Sequence, residues 1–356
     1  DERVVRIVSA PTAAGLFQVP TGADVYLNGG NGDRHDWTIA SRPNRSEAEL
    51  DDASVRTPHF RPDRFGTYII EHGATSLQMS LQAGPYEDVP RDCGRDGCHL
   101  REDEGWSGTA HARTFRRGIE GELGPDFAER CWSCHATGVD FGIDNGGLHH
   151  TTARVGWVPP EPSADAWDAM PRRVRRQASV WCSACHGPGR IVPPPFRWQY
   201  GSKFQVGVCA RCHDVDEGDA DANHRSPHVD EWRLSRMSSF SRGLGDQDPA
   251  TRAECASCHS AQGFVSWRRT GTRTAPERDT VEPLTCPTCH DSHDATNPRG
   301  LRVYDTADSV AGRPAGDLGA GALCASCHQT GVAWDGAADA APHASQASLL
   351  VGRGAR

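Results

Sequence analysis

Apolar and polar positions alternate over the first part of the chain. "RVVRIVS" (3–9), "ADVYLNGG" (23–30), "HDWTIAS" (35–41), "FGTYIIEHG" (65–73) and "SLQMSLQ" (76–82) repeat with a period near two, and Gly, Asn, Asp and Pro separate them. That period is a strand signal, so residues 1–85 predict a small β-sandwich. From residue 86 the alternation stops and short helices joined by loops are expected. Two segments there read alike. "WSGTAHARTFRRG" (106–118) and "WRLSRMSSFSRG" (232–243) both run from Trp to Phe to Gly and stand ahead of a cysteine pair, an internal duplication. Both are predicted on helices, the second with Ser226 as N-cap, Pro227 in the first turn and Gly243 past the end.

The predicted core is thin. Leu, Ile, Val and Phe fall below the ~20% at which a charged chain risks disorder, so some large apolar body not encoded as amino acids is needed to fill the middle. No run of eighteen apolar residues could span a membrane. The net charge of −9 and the lack of a basic, aromatic-rich stripe argue against nucleic acid as a partner. Only Lys203 among the 38 basic residues is lysine; the arginine forks suit carboxylates, although genome composition would give the same excess. The chain begins at Asp1, with no apolar leader in its first twenty residues, which suggests a cleaved signal and export to the periplasm, cell surface or beyond.

The fourteen cysteines form seven pairs, and histidine follows the second member every time. Six pairs are C-x-x-C-H: Cys131/Cys134/His135, Cys182/Cys185/His186, Cys209/Cys212/His213, Cys255/Cys258/His259, Cys286/Cys289/His290 and Cys324/Cys327/His328. This is the signature of c-type haem attachment. Two thiols one turn apart add across the two vinyl groups of a porphyrin edge, and the adjacent histidine becomes the proximal iron ligand. "CGRDGCH" holds Cys93, Cys98 and His99 with four intervening residues; Gly94 and Gly97 give the wider loop its freedom, and it is read as a seventh site. Zinc would not require His after every second Cys, and a disulfide framework would not double its cysteines; for Cys93/Cys98 alone a disulfide is the alternative. Seven covalently bound haems c are thus expected to supply the core, with their propionates facing arginines.

Sixth ligands decide between conductor and catalyst. Ten histidines are left after the seven proximal ones. His35, His59 and His72 lie in the β region and read as surface or hydrogen-bonded residues, with His59 and His72 as secondary distal candidates. His111, His149, His150, His224, His228, His293 and His343 remain for seven irons, a balance that favours bis-histidine ligation throughout. His149 and His150 would have to diverge to serve two irons. Met237 occupies the place of His111 in the second repeat, as a thioether ligand or as packing beside Leu234 and Phe240. The acidic loop "DVDEGDADAN" (214–223) lacks EF-hand spacing and reads as solvated, with Ca²⁺ the alternative.

The spacing of "VYLNGGNG", "DWTIASRP" and "TPHFRPDRFGTYIIE" resembles immunoglobulin-like domains of the PKD type, which implies that Trp37 is the core tryptophan and Tyr68 the tyrosine-corner residue. Residues 90–352, through "WSGTAHA", "CWSCHATG", "CSACHGPG", "CASCHSAQGF", "CPTCHDSHDATNPRGLR" and "PHASQASLLVG", resemble multihaem c-type cytochromes related to the tetrahaem cytochrome of ammonia oxidisers and to the extracellular cytochromes of metal-reducing bacteria. This resemblance implies electron transfer through closely packed haems, with His111, His293 and His343 as distal ligands. In such proteins another His commonly follows "CHGPG" within a few residues; here "RIVPPP" follows. The expected organisation is a β-sandwich over 1–85 and a heptahaem region over 86–356, with four haems in 86–225 and three in 226–356, the 93/98 haem lying between sandwich and first repeat. The expected function is electron conduction outside the cytoplasm, not catalysis. Partners would be other cytochromes or an extracellular acceptor, and copies of the chain joined as a filament through an inter-subunit histidine. The alternatives are an oxidoreductase of small nitrogen or sulfur compounds with one open haem, and a surface-binding protein acting through the sandwich.

Overall fold

The alternating segments pair into two sheets. The computed structural model describes residues 18–27, 34–75, 77–86, 93–94, 99–187, 190–192, 197–199, 206–215, 226–238, 249–276, 282–305, 318–329 and 346–347; "RVVRIVS" lies outside them. Strands β1 (Gln18–Pro20), β3 (Trp37–Ser41), β5 (Gly66–His72) and β6 (Leu77–Gly84) form one sheet in the order β1-β6-β5-β3, with β1 parallel to β6. Strands β2 (Val25–Tyr26) and β4 (His59–Phe60) make an antiparallel ribbon. Both contribute to one apolar core that includes Val25, Leu27, Trp37, Phe60, Tyr68, Ile70 and Leu81. The alternation sets this arrangement: in β5 Tyr68, Ile70 and His72 are buried and the residues between them are more accessible. Trp37 Nε1 donates to the Val55 carbonyl at 3.1 Å. The Tyr68 hydroxyl donates to the Arg64 carbonyl at 3.0 Å and accepts from the Arg64 N–H at 3.1 Å, so the loop before β5 is tied to the core by a buried phenol.

The rest of the described chain is built of short helices with little β. In chain order they are α1 (Leu100–Ser107), α2 (Ala110–Ile119), α3 (Trp132–His135), α4 (Leu148–Val155), α5 (Ala166–Ala169), α6 (Arg172–Arg175), α7 (Cys182–His186), α8 (Gly207–His213), α9 (His228–Leu234), α10 (Pro249–His259), α11 (Ala261–Thr270), α12 (Cys286–Cys289) and α13 (Gly321–Cys327). Two short ribbons intervene: β7 (Arg190–Val192) with β8 (Arg197–Gln199), and β9 (Asp214–Val215) with β10 (Ser226–Pro227). The larger apolar clusters here gather around Phe115, Trp132, Leu148 and Met170, and around Phe264, Val303, Ala322 and Ala325.

The repeats depart from the expected continuous helices. In the first, the helix stops at Ser107 and restarts at Ala110, because Thr109 is extended and its hydroxyl donates to the Trp106 carbonyl at 2.7 Å. In the second, Ser226 is not the N-cap; it pairs in β10, Pro227 stands at the cap position, and the helix ends at Leu234 with Ser235 extended. The Ser235 hydroxyl donates to the Trp232 carbonyl at 2.8 Å and accepts from the Met237 N–H at 3.2 Å, competing with helix continuation. Gly243 and Phe240 lie outside the described residues. Leu234 is 90% exposed and Met237 48% exposed, so the packing expected of that pair does not form.

The duplication survives in backbone geometry. Trp106 Nε1 donates to the Val180 carbonyl at 3.1 Å, and Val180 N–H donates to the His111 carbonyl at 3.1 Å. In the second repeat Trp232 Nε1 donates to the Leu284 carbonyl at 2.7 Å, and Leu284 N–H donates to the Met237 carbonyl at 3.1 Å. Val180 and Leu284 each stand two residues before the first cysteine of a motif. Each repeat therefore clamps the run-in to a cysteine turn with the same pair of bonds, and His111 and Met237 are structural equivalents.

The β region rests against α8 and α9. Tyr26 donates to Asp214 Oδ2 at 3.3 Å. Arg233 reaches Asp51 Oδ2 at 3.0 Å and the Thr57 carbonyl at 3.1 Å, and its guanidinium lies 5.5 Å from the Tyr26 ring centroid. At Gly207, the first residue of α8, a Cβ would overlap the Asp24 carbonyl oxygen, so this approach requires glycine.

Candidate haem-binding sites

The C-x-x-C-H spacing is folded as single turns. Cys182 and Cys185 on α7, Cys209 and Cys212 on α8, Cys255 and Cys258 on α10, Cys286 and Cys289 on α12, and Cys324 and Cys327 on α13 stand three apart on one helical face. Cys131 closes a 3₁₀ turn (Glu129–Cys131) that runs straight into Cys134 on α3. Local sequence fixes the turns: Thr285 and Thr288 form a capping box around α12, and Ser260 caps α11 directly behind His259 by accepting from Gly263 N–H at 2.9 Å. In two motifs the histidine N–H donates to the carbonyl of the first cysteine, His290 to Cys286 at 3.0 Å and His328 to Cys324 at 2.9 Å. His99 N–H donates to the Cys93 carbonyl at 3.2 Å in the same way. The longer "CGRDGCH" segment thus carries a histidine-to-first-cysteine bond like that of its shorter counterparts; Cys98 lies outside the described residues.

No disulfide joins any of the described cysteines, Cys93 included. Burial pushes the Cys185 and Cys289 thiols up to about 11, which keeps them neutral at pH 7. Among the described residues no group of three or more His, Cys, Asp or Glu side chains is arranged to hold a bare metal ion.

Several histidine rings face one another at a recurring distance. His186 and His293 have centroids 6.0 Å apart, His213 and His228 6.4 Å, and His111 and His213 6.2 Å. An imidazole binds a metal at roughly 2 Å, which sets two imidazoles on opposite axial positions with ring centroids about 6 Å apart. Burial and then the His135 charge lower the His111 pKa, leaving it a neutral imidazole. In three histidines Nδ1 meets a protein acceptor: Asp291 Oδ1 at 3.1 Å for His293, the Arg299 carbonyl at 2.9 Å for His290, and Gln346 Oε1 at 3.3 Å for His328. Such an outer bond orients a ligating imidazole and leaves Nε2 for the metal. Asp291 is held in turn by Arg302 at 2.7 Å, and the His293 hydrogen bond, with Arg302, keeps its carboxyl far below the usual range.

The other candidates separate by their partners. His150 Nε2 is 3.0 Å from Asp144 Oδ1, whereas the Asp140 N–H meets His149 at Nδ1, 3.5 Å away. The two rings are 4.0 Å apart, and burial together with His150 lowers the His149 pKa to about 4. In the β region His72 is buried with Nε2 3.2 Å from His35 Nδ1, and His59 Nδ1 is 2.8 Å from Asp51 Oδ2 with its ring stacked on Tyr26. His224 and His343 lie outside the described residues, as does most of the acidic loop; Asp214 at its edge bonds Tyr26 and the Asp230 N–H.

The fit to covalently held porphyrins rests on three observations: paired thiols on one turn, imidazoles at trans-axial spacing, and an unmet guanidinium. Arg252, one turn before Cys255 on α10, buries Nε and Nη1 with no hydrogen-bond partner. A buried guanidinium needs an anion, and a haem propionate is a carboxylate of the required kind. Sequence reading missed Arg252, Asp291 and the tryptophan clamp; only Asp291 carried a signal, an acid two residues before a ligand-type histidine in "CHDSH".

No curated protein and no solved structure gives a significant match to this chain. Residues 177–341 match the family model of outer membrane cytochrome MtrC/MtrF-like, domains II/IV, just under half the chain. The matched stretch holds five of the doubled-cysteine motifs, from 182 to 328. No helix among the described residues is long and apolar enough to cross a membrane. The match supports a multihaem cytochrome of the extracellular, electron-transferring type.

Proposed function

We propose that this chain conducts electrons through seven covalently attached c-type haems outside the cytoplasm, exchanging them with other redox proteins or an extracellular acceptor. The observation that carries the reading is the combination of doubled thiols on single turns with two imidazole pairs, His186 with His293 and His213 with His228, whose ring centroids are 6.0 and 6.4 Å apart. A bound haem supplies an iron that takes up and releases one electron. The cysteines hold each porphyrin edge against loss to the medium. His99, His135, His186, His213, His259, His290 and His328 are the proximal ligands. His228 would hold an iron together with His213, His293 with His186, and His111 with His135. His149, His224 and His343 are the remaining candidates for further irons. Asp291 and Arg302 orient His293, and Arg252 meets a propionate. The β region belongs to the immunoglobulin-like PKD type on this reading and braces the turn of Cys209 and Cys212. End-to-end association of copies as a filament extends the conductor, and electron micrographs of the native material that contain only discrete particles would remove that part.

One observation favours a second reading, an oxidoreductase of small nitrogen or sulfur compounds: Met237, half-exposed, stands where the first repeat has His111. Low-temperature EPR of the oxidised protein separates the two. Low-spin ferric signals alone support conduction, and a stoichiometric high-spin signal in undamaged protein supports an open iron. Met237→His would abolish such a signal if it arises in the second repeat.

A further inference from the structure

The chain order of the motifs is not their order in space. Thioether bonds sit on the porphyrin edge, so thiols from two motifs in contact mark two attachment edges that approach each other. Four such contacts join Cys93 with Cys182, Cys134 with Cys212, Cys209 with Cys286, and Cys258 with Cys327. Helix packing repeats the pattern: α3 and α7 both lie on α8, and α10 lies on α13. Cys212 Sγ is 3.7 Å from the Cys134 carbonyl oxygen, Ala210 and Cys286 share one apolar cluster, and Cys327 packs in the cluster of Phe264 and Ala325. Cys185 lies near both cysteines of α8, as the packing of α7 on α8 requires, and Cys289 lies near Cys324 and Cys327. His293, three residues past the motif at 286–290, faces His186 of the motif at 182–186.

From these contacts we infer that the seven attachment sites form a branched, three-ended array with its junction at the turn of Cys209, Cys212 and His213. One arm runs through the motif at 182–186 to that at 93–99. A second is the motif at 131–135 alone. The third runs through 286–290 and 324–328 to 255–259. Tunnelling falls off exponentially with edge separation, so electrons entering at any end pass the junction to reach another. The bracing of α8 by the β region fits this: Gly207 meets Asp24, and Tyr26 bonds Asp214 directly after His213, which holds the junction turn from outside. The Arg233 bridge to Asp51 ties α9, and with it His228, to the same surface.

This inference rests on the haem reading above. Its test is cryo-electron microscopy of the full holoprotein as isolated, with the seven iron positions measured. The iron held by His213 is expected to have three near neighbours, those of His135, His186 and His290, while the irons of His99, His135 and His259 have one each. Irons in single file along the sequence, or the His213 iron at an end, would overturn the branched order. A haemochrome count on the same sample keeps the two claims apart: seven haems in another order refutes the branching alone, and absence of haem refutes the reading on which it rests.

Discussion

The β region and the motif region handle their histidines in opposite ways. In the β region His72 bonds His35 inside an aromatic core and His59 is matched to Asp51, so imidazoles complete a network of protein groups. In the motif region the ring centroids of His186 and His293, and of His213 and His228, lie 6.0 and 6.4 Å apart with nearly parallel planes, a spacing too long for a hydrogen bond and suited to a shared metal. The same contrast holds for apolar packing. Trp37, Phe60, Tyr68, Ile70 and Leu81 fill one core between two sheets, whereas the cluster around α13 relies on Ala322, Ala325 and Ala347 with one Phe and one Val. The β region is stabilised by its own side chains; on the proposed reading the thinner cluster around α13 is completed by the haems its cysteines would attach.

Four substitutions would break or sharpen that contrast. Trp37→Ala should cost about 3–5 kcal/mol in denaturant unfolding of the β region and leave the haem count unchanged; loss of haem would mean that the regions fold as one. His293→Ala should convert one ferric haem from low-spin to high-spin, read by EPR, with no change in the unfolding of the β region. An unchanged spectrum would remove His293 as a ligand. Asp291→Asn should act through His293: outer partners of a ligating His are worth roughly 10–100-fold in ligand affinity, so a partial high-spin fraction is expected. The pH dependence follows from the depressed carboxyl of Asp291. Its stabilisation is complete above the unfolded value of about 3.9 and is lost only as pH falls through the lower folded value, so the wild-type low-spin signal should persist at pH 4. In Asp291→Asn that acid-resistant contribution is gone, and an identical acid titration of the two proteins would contradict the role. Tyr68→Phe is the smallest: the phenol loses its bonds to Arg64 and Asp63, about 1–2 kcal/mol in the same unfolding assay, and haem spectra stay unchanged.

What the sequence revealed follows from which forces act locally. Alternation in "FGTYIIEHG" and "SLQMSLQ" translates directly into β5 paired with β6, because a period of two leaves one register that buries Tyr68, Ile70 and Leu81. C-x-x-C-H was equally readable, since a helical turn is a three-residue matter. The repeated Trp predicted equivalent positions for His111 and Met237, and the clamp on Val180 and Leu284 bears this out. The helix limits around 226–243 were misread, because Ser235 diverts the chain through side-chain bonds that propensity does not weigh. Partner choice among the histidines was not legible at all. His186 meets His293 across more than a hundred residues; the local bond to Asp291, itself held by Arg302, orients the His293 imidazole but does not name its partner.

The central claim is that each doubled thiol in this chain carries an iron porphyrin that serves as the missing core. The most direct test is a pyridine haemochrome assay paired with intact mass of the exported protein. Seven haems per chain and a mass raised by seven covalent porphyrins are expected, with no free thiol left to alkylate. A chain at its polypeptide mass, with its sulfur in disulfides or bound to zinc, would contradict it.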